Sequence, residues 1–240
     1  MLSLEEIDRL TYTTKTTHCG GCSNNCMLTV NQFPSGKRHI TGNRCEKGIG
    51  AEGGAVKGEN LVAYKVHRIF DYPSLENPPR GFLGIPRVLN MYENYPFWAT
   101  FFKELGFGLV LSPLSDRKLY ERGMESIPSE SECYPAKLAH GHIEFLSRLG
   151  LDAIFYPCMT YNLDEGLSDN HYNCPVVAYY PEVIAGNCPE IKGTKFIYDY
   201  VGIHRPKDFV KKIHVILQRE FPGISKREVQ KAADAAYGEY

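Results

Sequence analysis

Eight cysteines fall into two groups, and their spacing sets the chemical question. The first group is His18-Cys19-Gly20-Gly21-Cys22-Ser23-Asn24-Asn25-Cys26, followed by Cys45 in "GNRCEKG". Its pattern, C-x2-C-x3-C-x18-C, supplies four thiolates. Four thiolates complete a tetrahedral set for Zn²⁺ and equally a set for a 4Fe–4S cluster. Gly20 and Gly21 let the backbone fold tightly around the sulfurs. Zinc sites commonly pair two C-x2-C units, whereas here three cysteines cluster and one stands apart. A metal is therefore expected at Cys19, Cys22, Cys26 and Cys45, with iron and zinc both open, and His18 is assigned a supporting place beside them.

The second group is Cys133, Cys158, Cys174 and Cys188. Cys133 lies in "SESECYPAK", just before a helix expected from Pro135. A helix N-terminus favours a thiolate or an anionic cluster. Cys158 follows the apolar strand "DAIFYP", which puts it with Cys133 on one edge of an α/β sheet. Cys174 and Cys188 bracket "PVVAYYP", read as a further strand, which places Cys188 on that edge and Cys174 before the strand. The loop "MTYNLDEGLSDNHYN" would have to bring Cys174 near, and a loop that long is more often functional than accidental. The competing reading is four ordinary half-buried cysteines. His171 in that loop is a candidate proton donor, with a solvated side chain the expectation. His140 and His142 stand at i, i+2 on the expected helix, so at most one should face inward.

The elements that must position these residues read as follows. Residues 1–56 form a cysteine-rich subdomain with a hairpin of "CMLTVNQFP" and "KRHITGNRC" around "SG". Glycines at 48, 50, 53 and 54 loosen its end. Residues 57–80, ending "YPSLENPPR", read as an extended linker. From residue 81 the pattern changes. Strands are expected in "GFLGIPRVL", "FGLVLSP", "DAIFYP", "PVVAYYP" and "KFIYDYV". Helices are expected in "NYPFWATFFKELG", "YPAKLAHGHIEFLSRLG", "PKDFVKKIHVILQREF" and "SKREVQKAADAAYGEY". Such alternation gives residues 81–240 an α/β fold, a mostly parallel flavodoxin- or Rossmann-like sheet, beside the small N-terminal metal-binding subdomain.

The chain has 240 residues, 43% of them hydrophobic, and a formal net charge of −1. That charge gives no general pull toward nucleic acid, and no apolar run reaches the ~20 residues that cross a bilayer. The acidic N-terminus "MLSLEEIDRL" lacks a secretory apolar core, so the expectation is a cytoplasmic protein whose thiols stay reduced. No G-x-x-x-x-G-K-[ST] stretch is present, so no P-loop ATPase activity is expected of this chain, and no G-x-G-x-x-G follows a strand.

The stretches "CGGCSNNCMLTV", "GNRCEKG", "ESECYPAKLAHGHI", "IFYPC" and "NHYNCPVVAYYPEVI" together resemble the 2-hydroxyacyl-CoA dehydratase activase-related family. These proteins are relatives of the 2-hydroxyglutaryl-CoA dehydratase and benzoyl-CoA reductase systems. The resemblance spans roughly residues 15–200. It implies an iron–sulfur component of an ATP-driven, low-potential electron-transfer system, a part of a reductase or dehydratase rather than an ATPase. The implied cofactor is a 4Fe–4S cluster, with Cys133, Cys158 and Cys174 in the ligand positions and Cys188 ranked last. The implied partners are ATPase activase modules or subunits and a further dehydratase-like subunit or domain. The alternative is a non-catalytic zinc-containing interaction module.

Overall fold

Threonine-rich Thr13–His18 (β1), Met27–Gln32 (β2) and Arg38–Thr41 (β3) form an antiparallel meander in the order β1-β2-β3. The computed structural model describes residues 7, 9–49 and 60–240. The chain divides into two compact units, Met1–Asn60 and Leu61–Tyr240. The expected boundary at 56–57 and the glycines at 50, 53 and 54 lie outside the described residues. In the first unit every residue of β1 is exposed, and Leu28 alone is buried among the strand residues. Its ladder rests on main-chain bonds, the Thr14 Oγ1 to Asn31 Oδ1 bond of 2.8 Å and a Tyr12–Phe33 ring contact.

The second unit is built on a parallel sheet of Phe82–Ile85 (β4), Gly108–Leu111 (β5), Ala153–Phe155 (β6) and Phe196–Ile197 (β7). The strand order is β5-β4-β6-β7, so the winding reverses between β4 and β6, as in Rossmann-like sheets. Leu83, Ile85, Ile154 and Phe155 are fully buried, as parallel strands covered on both faces require. Seven α-helices accompany them among the described residues of this unit. They are Leu61–Phe70 (α1), Met91–Glu104 (α2), Arg117–Gly123 (α3), Tyr134–Ser147 (α4), Pro175–Asn187 (α5), Pro206–Glu220 (α6) and Lys226–Glu239 (α7).

The core is aromatic. On α2, Phe97, Trp98, Phe101 and Phe102 recur at helical spacing and are fully buried. Trp98 meets Phe155 of β6 edge to face at 4.8 Å, and Phe97 meets Phe209 of α6 at 5.2 Å. Such pairs contribute about 0.5–1.5 kcal/mol each beyond their buried area. Gly106, at φ +85°, ends the turn after α2 in the left-handed conformation that suits glycine. Helix α7 opens on a capping box in which Ser225 and Glu228 bond each other's backbone N–H. Helices α3 and α4 touch main chain to main chain: a Cβ on Gly141 would stand 1.8 Å from the Leu119 carbonyl oxygen, and one on Gly123 would stand 2.2 Å from Gly141 N.

Three expectations are corrected. "PVVAYYP" is the first half of helix α5, not a strand: Pro175 occupies the first turn, and Ala178, Tyr180 and Ile184 turn one face to the core. The expected linker 57–80 contains α1, whose Val66, Ile69 and Phe70 pack on the core, so only its later part is extended. His140 and His142 are both fully buried, because α4 is covered on two sides and each ring faces a different neighbour.

Candidate functional site

In a parallel α/β sheet the loops beyond the strands' carboxyl ends build the site. Helices α4 and α5 each lead into the next strand, so their first residues stand at that end. Cys133 is the N-cap of α4 and Cys174 the N-cap of α5. Both are exposed, and neither side chain bonds a backbone N–H of its helix. Cys158 follows β6 and extends it by a bridge to Tyr200, its N–H donating to the Asp199 carbonyl at 3.1 Å. Topology therefore places Cys133, Cys158 and Cys174 at one edge. Cys188 caps the other end of α5, away from Cys174, which corrects its expected position beside Cys133 and Cys158. Its sulfur donates to Glu190 Oε2 at 3.2 Å.

Electrostatics separate these thiols. Cys158 is 1% exposed. Burial pushes its thiol up to about 12; the Glu182 backbone N–H opposes that rise, while the Glu182 and Asp199 charges add to it. Burial likewise pushes Cys188 up to about 12, reinforced by Glu190. Such a thiol keeps its proton at neutral pH unless a metal takes its place. The donor types fit a cluster: two thiols at helix N-termini, and a buried third that needs a metal to ionise. Among the described residues, no three His, Cys, Asp or Glu side chains stand at metal-ligand spacing.

Sequence reasoning missed Tyr180, whose partners are distant in sequence. From α5 its hydroxyl donates to Glu132, beside Cys133, and is bonded to His140 Nε2 at 2.9 Å. His140 Nδ1 is in turn bonded to Ser126 Oγ at 2.8 Å. Burial lowers the His140 pKa against the opposing charges of Glu132 and Glu190. His142 is held by Ser112 Oγ at 2.6 Å and Ser115 Oγ at 2.9 Å, and burial, then Arg87, push it down to about 4. These are neutral, oriented imidazoles. His171 is also drawn in: its side chain is 12% exposed and lies 3.4 Å from Asp164, so the expected solvated state is corrected. Near the same edge, the Tyr156 hydroxyl and both amide atoms of Asn90 are buried without a partner among the described residues, and Leu89 sits at φ +45°. Orphaned polar atoms and backbone strain of this kind concentrate at functional sites.

In the first unit, the Cys19 N–H donates to the Cys26 carbonyl at 2.8 Å, continuing the β1–β2 ladder past His18 and Met27. Past β3 the chain bends at Gly42 (φ +86°) and turns back, so that a Cβ on Gly21 would stand 3.4 Å from Cys19 Sγ and 3.5 Å from Lys47, two residues past Cys45. The meander thus carries Cys19, Cys22, Cys26 and Cys45 to one end, with Cys19 and Cys26 half-buried and Cys22 and Cys45 exposed. His18 Nδ1 is taken by the Asn25 carbonyl at 3.2 Å.

Among the described residues, no helix is long and apolar enough to cross a membrane. Residues 83–240 match the family model described as the CoA enzyme activase uncharacterised domain. No curated protein and no solved structure shows a significant match to the chain.

Proposed function

The chain belongs to the 2-hydroxyacyl-CoA dehydratase activase-related family, and from that premise we propose that it is the iron–sulfur component of the activation system. In this reading it carries low-potential electrons, and ATP is hydrolysed by an activase partner. The carrying observation is that Cys133, Cys158 and Cys174 stand at the carboxyl edge of the sheet, inside the residues that match the family. These three would hold the cluster. When bound it supplies a one-electron store, and three thiolates leave one iron for a different ligand. The chain's own residues do the rest. The N-termini of α4 and α5 favour the anionic charge, and Tyr180 holds Glu132 in place beside Cys133. A further dehydratase-like subunit or domain would receive the electron.

The first unit supports a second metal site at Cys19, Cys22, Cys26 and Cys45, filled by zinc or by iron. The observation behind it is the meander that gathers these residues at one end.

Anaerobic purification with iron, sulfide and zinc analysis tests both readings. The cluster reading expects about four iron and four sulfide bound through the second unit, with iron lost in Cys133→Ser and Cys174→Ser. A colourless protein without iron after reconstitution would sink it. A zinc-only interaction module instead expects about one zinc per chain, lost in Cys19→Ser and indifferent to Cys133→Ser.

A further inference from the structure

Two buried groups that the proposed cluster does not use, the Cys188 thiol and the His140 imidazole, belong to one line of hydrogen bonds. The line starts in solvent at Glu190, in the short turn after α5, where its carboxylate accepts from the Cys188 thiol at 3.2 Å. The Cys188 sulfur is also hydrogen-bonded to the Ser126 hydroxyl. Ser126 Oγ meets His140 Nδ1 at 2.8 Å, and His140 Nε2 meets the Tyr180 hydroxyl at 2.9 Å. That hydroxyl donates to Glu132. Ser126, His140, Tyr180 and Cys188 are buried, whereas Glu190 is exposed and Glu132 half-buried.

This line differs from ordinary polar bonding in a core. Every interior member can both give and take a proton: a thiol, two hydroxyls and an imidazole with both nitrogens engaged. The Tyr180 hydroxyl has one proton and two partners, so it either donates to Glu132 while accepting from His140 Nε2, or donates to His140. Ser126 likewise stands between His140 Nδ1, the Cys188 sulfur and the Gly123 carbonyl, which it reaches at 3.0 Å. Both hydroxyls therefore have a second arrangement on the same heavy atoms, as passing a proton along requires. Gly123 leaves room for the line, because a Cβ there would stand 2.7 Å from His140 Cβ. The two charges that raise the His140 pKa against burial are Glu132 and Glu190, the carboxylates at the two ends.

We propose that Glu190, Cys188, Ser126, His140, Tyr180 and Glu132 form a proton wire from solvent to the carboxyl edge of the sheet. For each proton carried, one leaves at Glu132 to water or to a basic atom of a ligand at that edge. Each interior group hands one proton on and takes one from its neighbour. Glu190 recovers its own from water, no electron moves, and no charge stays behind in the wire. Glu132 directly precedes Cys133 in sequence, so the wire ends where the proposed function passes electrons, and there it would supply the proton that accompanies a reduction. That use rests on the cluster reading; the wire rests on the hydrogen bonds alone.

The test is exchange of the His140 ring proton with water, followed by NMR in the full chain at fixed pH and temperature. A buried N–H in a closed core waits for the fold to open, and a wire gives it a shorter route. Tyr180→Phe cuts the link to Glu132, so exchange in that variant reports the Glu190 end. Adding Cys188→Val, similar in volume but without a transferable proton, should slow exchange about tenfold or more, and adding Cys188→Ser should not. The double variant should also be slower than Cys188→Val alone, in which the Glu132 end stays open. Unchanged thermal midpoints show that the variants fold, and Glu132→Gln closes the same end should Tyr180→Phe fail to fold. Equal rates in the single and double variants, or equal slowing by Cys188→Ser and Cys188→Val, overturn the wire. Iron and sulfide analysis enters none of these rates, so loss of the cluster reading and loss of the wire are told apart.

Discussion

The two units of this chain solve stability in opposite ways. The second wraps a parallel sheet around an aromatic core in which Trp98, Phe97, Phe101 and Phe102 are fully buried. The first exposes all of β1 and buries Leu28 alone among its strand residues, while Met27 stays 63% exposed. A sheet with so little covered surface cannot offset its ordering entropy by burial, and small domains of this kind lean on metals or disulfides. All four of its cysteines are free. On the proposed reading, thiols serve as structure in one unit and as a site in the other.

That contrast can be broken. The largest effect expected is selective: a chelator, or Cys19→Ser, should erase the amide dispersion of residues 13–41 while leaving the thermal transition of the second unit in place. A meander that keeps its dispersion without metal would end the comparison. Next, Trp98→Ala should destabilise the second unit by about 3–5 kcal/mol in urea unfolding, with the first unit's spectrum unchanged. Third comes pH. Because folding holds His142 near 4 against an ordinary 6.5, the unfolded chain binds its proton first as pH falls. Stability of the second unit is then full above about pH 6.5, declines toward pH 4 by up to roughly 3 kcal/mol, and levels below. His142→Gln should flatten that decline, measured as urea midpoint against pH. Smallest is Arg117→Ala, which removes an exposed pair with Glu121 on α3 and should shift stability by less than about 0.5 kcal/mol.

Much of the second unit was legible because its patterns were local. The strands β4, β5 and β6 are short apolar runs between turn residues, and α4 announces itself through Pro135 and Gly150. Helix α5 was not. "PVVAYYP" is β-branched and aromatic, strand-like by composition and length, and packing of Tyr180 and Ile184 against the core overrode that preference. Helix α1 was hidden by the prolines that follow it. For the site, Cys133 and Cys158 were placed by topology alone. Tyr180 with His140, and Tyr180 with Glu132, are pairs separated by 40 and 48 residues, and no local pattern announces such a contact.

The glycine contact between α3 and α4 has a mechanical consequence. With Gly141 seated on the Leu119 carbonyl and Gly123 on Gly141, the two helices approach at main-chain distance, and the Arg122–Glu144 pair and the Tyr120–Tyr134 ring contact tie them further. Neither helix can slide or roll without main chain striking main chain. Cys133 therefore rides on a fixed post. In the proposed cluster site Cys133 would then be the ligand whose place is set first, with the others arranged around it.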